Sequence, residues 1–480
     1  MPTFTRRAVL SRFAMLAAVE SMRKPFLACA LDKRAEREGT GRAATSLRIS
    51  PSWNETISTV SPQVLGLSYE SSQLSAPDFF SSTNTELIKL FQRLSPHGVL
   101  RLGGNLSEFT RWTPEGTPAA SSVPFRAATP DPSSGKAIQP MPVTPSAIRN
   151  LREFLDQTGW QAIYGLNLAH AEPARVVAEA KFVAETLGPR LIVFQIGNEP
   201  NHYVLNHLRA PGYSFSDYFT EWSKIHDAVA EALPEARFAG PDVAEEISWV
   251  EQFAAAAPKS VVMLTGHHYA EGPPADPSVT IEKLLAPNPD FARHIEKIGA
   301  VSRRARMPYA MVETNSCYNA GKAGVSDVFA SALWAVDYAL QLAQAGQSGV
   351  YFHGGGKGLY TPIAGGSGKP FVPRPIYYGL LLCRNLLGCE MAPVSITAHS
   401  ANVSVYALKH PRRIVVVNKG PSDTVLELPM GEQAFELLRL VAPSPESKTE
   451  ITLTPQPLDK PLTSVPVSRF SAAVITLERA

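Results

Sequence analysis

Between residues 64 and 355 the chain repeats one arrangement eight times: a short apolar run followed by an amphipathic stretch. The runs are VLGLSYE (64–70), VLRLGG (99–104), AIYGLNL (162–168), LIVFQIG (191–197), ARFAGPD (236–242), VVMLTGHHY (261–269), PYAMVET (308–314) and GVYFHGG (349–355). Strands this apolar are covered on both faces, and strands that alternate with helices form a parallel sheet. Eight of them predict an α/β fold, a (β/α)8 TIM barrel over residues 61–387. The intervening segments keep helical spacing. In PARVVAEAKFVAETLG, Val176, Val177, Ala180, Val183, Ala184 and Leu187 form one stripe before Gly188. In SDVFASALWAVDYALQLAQAG, Ser326-Asp327 is the candidate N-cap and Gly346 the stop.

The texture changes after about Leu387. NVSVYALKH, RIVVVNKG, TVLELP, ITLTPQP and AAVITLER are short, β-branched and separated by turn residues. No helix is needed to join them, which predicts an antiparallel β-sandwich over 388–480. SLRISPSWNETIST, before the barrel, has the same character, so residues 46–60 are expected to supply strands to that sandwich. After the second strand comes a Pro-, Ser- and Thr-rich insertion, RWTPEGTPAASSVPFRAATPDPSSGKAIQPMPVTP, expected as a loop at the barrel mouth.

Residues 1–45 differ from the rest. Arg6-Arg7 precede an apolar stretch, in the manner of a twin-arginine export signal, and a polar, charged segment follows. Arg12 interrupts the apolar part. The expectation is an exported protein with a flexible leader; a misassigned start or a disordered tail is the alternative. No later segment reaches the roughly 18 uninterrupted apolar residues that span a bilayer.

The 45 basic and 43 acidic residues nearly balance. That near-balance, with no Lys/Arg-rich run outside the N-terminus, predicts no electrostatic footprint for nucleic acid, which needs a clustered basic surface. Cys29, Cys317, Cys383 and Cys389 form no CxxC pair and no Cys/His spacing of a structural zinc site. Cys383 and Cys389 either bridge or are buried free thiols, the latter being the preferred reading. GGGKG and GGSGKP miss the Walker spacing, and GxGxxG is absent.

In a barrel, chemistry collects where strands end and βα loops begin. The fourth strand ends in Asn198-Glu199-Pro200 and the seventh in Glu313-Thr314-Asn315. Two carboxylates then enter one mouth from nearly opposite sides. That is the requirement of glycoside hydrolysis, in which one carboxyl donates a proton and the other attacks the anomeric carbon. His267 and His268 are adjacent, so on a strand they face opposite sides; a two-histidine metal site is not expected, whereas a hydrogen-bonding role for one of them is.

QIGNEPNHY, GHHYAEG and ETNSCYNAGKAGVSDVFASALWAVDYA resemble the retaining (β/α)8 glycosidases of clan A, and within them glycoside hydrolase family 79, the heparanases and bacterial β-glucuronidases. The resemblance covers residues 46–480. It implies Glu199 as general acid/base, Glu313 as nucleophile, and Asn198 as a partner of the sugar 2-hydroxyl. Tyr269 would stand beside the nucleophile and the sugar, or else only pack at the rim. The glucuronate carboxylate would be held by Tyr318, by the backbone at Asn319, Ala320 and Gly321, and by Tyr360. Relatives often carry Gly-Gly where this chain has Asn319-Ala320, which leaves the donors but alters the loop. Glu70 and Asn105, past the first and second strands, are placed for sugar hydroxyls, although Asn105 could instead satisfy the Gly103-Gly104 turn.

These residues imply a retaining, exo-acting β-glucuronidase that releases glucuronic acid, 4-O-methylated or not, with no metal or organic cofactor. An endo-acting heparanase-like hydrolase of a uronic-acid polysaccharide is the nearest alternative. A barrel that binds carbohydrate without catalysis is the alternative from another class.

Overall fold

The computed structural model describes residues 45–116, 139–356, 358–366, 368–397 and 402–479. The expected leader, most of the Pro-rich insertion and Cys29 lie outside them. The eight barrel strands are β1 (Leu65–Glu70), β2 (Val99–Gly103), β3 (Gln161–Leu166), β4 (Leu191–Ile196), β5 (Phe238–Ala244), β6 (Val261–Glu271), β7 (Tyr309–Cys317) and β8 (Gly349–Gly354). Each pairs in parallel with the next, and β8 closes on β1, with helices between successive strands. The chain is a (β/α)8 barrel carrying additional β-sheets.

Period-two alternation stacks the barrel interior in layers. Val99, Ile163, Val193, Ala239, Ala310, Val312 and Tyr351 make an apolar floor. One inward position further along β2, β4 and β8 the layer is polar. Arg101 follows Val99, Gln195 follows Val193 and His353 follows Tyr351, all of them buried. Gly66 makes the floor possible, because a Cβ there would lie 2.3 Å from the Tyr351 ring.

The remaining described strands form a four-stranded sheet, a seven-stranded sheet and two two-stranded sheets. The strand Thr45–Pro51 sits inside the smaller one, antiparallel to Val394–Thr397 and parallel to Thr424–Glu427. The sandwich is therefore not wholly antiparallel: this strand arrives from the far end of the chain, free of the reversal a hairpin imposes. Leu47, Ile49, Val416, Leu426, Val465 and Ile475 from both sheets share one core.

The sheets are fastened to the barrel helix Phe329–Gln344. Asp337 accepts from Lys419 Nζ (2.6 Å) and Tyr406 Oη (2.6 Å), and all three are buried. This contact also corrects the expected Ser326-Asp327 cap. The helix starts at Phe329, and the N–H groups of Phe329 and Ala330 donate to the carbonyls of Ser447 and Pro445. Asp327 instead accepts from Gly324 N–H and Lys448 Nζ. Backbone carbonyls of the neighbouring sheet satisfy the orphan donors that a side-chain cap would otherwise meet. The other stripe, on Pro173–Leu187, buries Val176, Ala180, Val183 and Leu187 as its spacing requires. Cys317, Cys383 and Cys389 are buried free thiols.

Candidate active site

Arg101 is the hub of the polar layer. Its Nε donates to Gln195 Oε1 (3.1 Å), Nη1 to Glu313 Oε2 (2.7 Å) and Ser68 Oγ (3.2 Å), and Nη2 to Asn198 Oδ1 (2.8 Å) and Asp242 Oδ2 (2.5 Å). A planar guanidinium presents five donors in fixed directions, and here each has an acceptor. Neither Arg101 nor Asp242 was singled out from the sequence. The available signal was a charge in the middle of VLRLGG: a buried strand carries an arginine only where partners surround it.

Glu313 is held from two sides. Oε2 takes Arg101, and Oε1 accepts from Tyr269 Oη at 2.9 Å. Burial opposes its ionisation, yet His353, His267 and Arg101 outweigh burial and hold the carboxyl below its ordinary range. Burial lowers the pKa of His353 itself, so Arg101 and His267 supply the positive charge. Tyr269 is thus placed beside the β7 carboxylate, beyond mere rim packing.

Glu199 leaves β4 in the left-handed region, with φ 47° and ψ 52°. A non-glycine residue there stores strain that surrounding contacts must hold. Its N–H donates to the Asp242 carbonyl at 2.8 Å, and Pro200 opens a short 3-10 turn. Its carboxylate meets His267 Nδ1 (3.0 Å) and His202 Nδ1 (3.4 Å). Burial again opposes ionisation, but these hydrogen bonds hold the carboxyl well below its ordinary range. His267 sits between carboxylates, with Nε2 3.0 Å from Asp242 Oδ1. Burial disfavours its protonation; Asp242 and Glu313 overcome that and push it up to about 10. His268 points the other way, stacked on Tyr338 outside the barrel.

One oxygen of Glu199, one of Glu313 and a ring nitrogen of His267 lie within 4.8 Å of one another. The positive charge that such a cluster attracts is provided by Arg101 and the His267 ring.

Asn198 is locked by its neighbours. Its Oδ1 accepts from Arg101 and from Gly104 N–H (2.9 Å), and its Nδ2 donates to Asn105 Oδ1 at 3.2 Å. Asn105 therefore orients Asn198. Glu108, which the sequence did not flag, anchors the same corner. It is 1% exposed and accepts from the N–H groups of Asn198, Leu168 and Ala169 and from Tyr203 Oη. Glu70 accepts from Leu106 N–H at 2.8 Å. Burial, followed by repulsion from Glu313, pushes its carboxyl up to about 8.

After β7, Asn319, Ala320 and Gly321 all have positive φ (54°, 70° and 84°). This left-handed turn is pinned by Leu359 N–H donating to the Ala320 carbonyl (2.6 Å). Among the described residues no acceptor takes the N–H groups of Asn319, Ala320 or Gly321. Tyr360 is buried, its ring centroid 6.0 Å from that of Tyr269, whereas Tyr318 is 39% exposed and packs over Gly272. The structure thus gathers Glu70, Asn105, Asn198, Glu199, Tyr269, Glu313 and Tyr360 around one mouth, with Tyr318 at its edge.

Fold and site together define a class: a (β/α)8 barrel with one carboxylate just past its fourth strand and another on its seventh. The seventh strand runs on to Cys317 rather than ending at Glu313 as expected. No family model matches the chain. Comparison with curated proteins finds a β-glucuronidase of Aspergillus niger, 24% identical over 369 residues, covering 70% of this chain and 65% of that protein. A β-glucuronidase of Neurospora crassa is 28% identical over 255 residues, 46% of this chain and 44% of its own length. The chain thus spans between 44% and 65% of these relatives. Among solved structures, a 4-O-α-L-rhamnosyl-β-D-glucuronidase from Fusarium oxysporum aligns with TM-score 0.68 and 18% identity, over 90% of this chain and 99% of that one. The structural likeness shows the shared fold, and the resemblance to family 79 read from the motifs agrees with the names of these relatives.

Proposed function

We propose that the protein is a retaining β-glucuronidase that removes terminal glucuronic acid, 4-O-methylated or not, from a glycan or glycoconjugate. The observation that carries the reading is the closeness of Glu199 and Glu313 across the mouth, with oxygens within 4.8 Å. Carboxyl groups about 5–5.5 Å apart suit double displacement, since wider spacing leaves room for an inverting water. Glu313, kept ionised by Arg101 and steered by Tyr269, attacks the anomeric carbon. Glu199 protonates the leaving oxygen, then takes a proton from the water that releases the sugar. Asn198, its oxygen occupied by Arg101 and Gly104 and one Nδ2 hydrogen by Asn105, keeps its other Nδ2 hydrogen for the 2-hydroxyl, a contact that strengthens as charge develops at the anomeric carbon.

The choice of a uronic acid rests on the left-handed turn. Three unclaimed N–H groups beside Tyr318 and Tyr360 suit a carboxylate without a formal cation. A hydrogen bond from Leu359 N–H to the Ala320 carbonyl ties the β7 and β8 loops together beside Tyr360, which supports exo action. The test compares aryl β-glucuronide with aryl β-glucoside and β-xyloside. Preference for the glucuronide supports the reading, and equal or better turnover of the neutral sugars removes it. Monosaccharide as the first product from a uronic-acid oligomer supports exo action; internal fragments contradict it.

A further inference from the structure

Asp242 has no part in the two-carboxylate scheme, yet its setting is as closely built as theirs. It is 1% exposed and holds φ 62° at the end of β5. Its carbonyl accepts the Glu199 N–H, which joins the ends of β4 and β5. Its Oδ1 accepts from Gln195 Nε2 (2.7 Å) and faces His267 Nε2 (3.0 Å), and its Oδ2 takes Arg101.

His267 is therefore an imidazole with a carboxylate oxygen 3.0 Å from each ring nitrogen. A neutral ring has one bare nitrogen, whose lone pair would confront an ionised oxygen; at Nε2 only Arg101 Nη2, 3.3 Å away and already donating to Asn198 and Asp242, could offset it. Donation to Asp242 from Nε2 leaves one proton on the line between His267 Nδ1 and Glu199 Oε1, carried by the ring in the resting site. The charged and titratable groups around this line are Arg101 from β2, Glu199 and His202 from β4 and its loop, and Asp242 and Glu245 from β5 and its end. Glu313 from β7 completes the ring, with His353 of β8 and Glu70 of β1 behind it.

We propose that Asp242 is a positioning residue for proton transfer: through His267 it keeps a proton stored on the His267–Glu199 hydrogen bond, ready for the leaving group. This rests on the reading of Glu199 as acid/base. In the first half-reaction the Nδ1–H bond of His267 breaks and the Glu199 carboxyl gains that proton. The carboxyl gives up one proton to the glycosidic oxygen as its bond to the anomeric carbon breaks. In the second half the Glu199 carboxylate takes a proton from the attacking water, and His267 recovers it. The upward shift of His267, caused by Asp242 and Glu313, agrees with storage on the ring before substrate arrives.

The test compares Asp242→Asn with the wild type on phenyl and 2,4-dinitrophenyl β-glucuronide, the second of which departs without a proton. The variant should lose about 10²-fold or more on the phenyl substrate, and at least about tenfold less than that on the dinitrophenyl one. With the negative charge gone, the pair binds its proton more weakly, so the alkaline limb of kcat for the phenyl substrate should move down by about one pH unit. Equal losses on both substrates, or an unmoved limb, overturn the proposal. A wild type inactive on all aryl glycosides would remove the reading of Glu199 itself, which keeps the two failures distinct. If Asp242→Asn does not fold, nitrogen NMR of 15N-histidine wild type decides. The signal missing from His267→Gln should show both ring nitrogens protonated at pH 8; a bare nitrogen there overturns the proposal.

Discussion

Arg101 Nη1 stands 2.7 Å from Glu313 Oε2, with the arginine side chain fully buried and that of Glu313 only 7% exposed. Such a pair is costly to break, because the surviving charge is left without water or partner. Arg101→Met is expected to lose about 3–5 kcal/mol of stability, and Arg101→Lys less, since an ammonium keeps the charge but cannot reach all five acceptors. Urea unfolding of both variants checks the order.

Glu313→Gln is expected to lower turnover of aryl β-glucuronide by at least about 10³-fold with near-UV circular dichroism unchanged. Appreciable residual rate would remove the nucleophile assignment. Proton NMR of the first-formed sugar should show the β anomer; the α anomer would mean inversion.

The Glu70 carboxyl is raised by burial and by Glu313 to about 8. Below that pH it is neutral and tolerates an anionic sugar; above it a further negative charge faces the substrate. KM for glucuronide is expected to climb as pH passes about 8, and Glu70→Gln should flatten the climb. The sign for folding follows: stability relative to the Gln variant is full below the unfolded-state value and fades as pH rises to about 8. Thermal unfolding across pH measures it.

Gly321 has φ 84°, and a Cβ there would lie 2.9 Å from Ser326 Cβ and from Tyr360 N. Gly321→Ala must open the turn that presents the free N–H groups. A lost hydrogen bond to a charged ligand predicts about a tenfold or larger rise in KM for aryl β-glucuronide. Aryl β-glucoside, lacking the carboxylate, should change less.

Glu108 serves three backbone N–H groups and one hydroxyl with two oxygens. Gln keeps one acceptor and turns a donor toward donors. Glu108→Gln should cost about 1–3 kcal/mol, read by chemical denaturation.

Much of this was legible in sequence because it is local and periodic. VVMLTGHHY alone sets His267 and His268 on opposite faces, and the structure sends one to Asp242 and the other to Tyr338. Counting runs placed Glu199 and Glu313 on the fourth and seventh strands. Arg101, Asp242 and Glu108 escaped because their meaning depends on partners up to 212 residues away, as with Arg101 and Glu313. The Ser326-Asp327 cap failed for the same reason: a carbonyl of Ser447 reached the helix end first.

The sequence by itself determined the eight-fold alternation, the placing of Glu199 and Glu313 with the fourth and seventh strands, and the change to β texture beyond Leu387, since each is written in neighbouring side chains. Only the tertiary structure decided which charges share the barrel mouth and where protons reside among them. Ring closure brings β2, β4, β5, β6 and β7 within hydrogen-bond reach, and burial there turns otherwise ordinary charges into a coupled set.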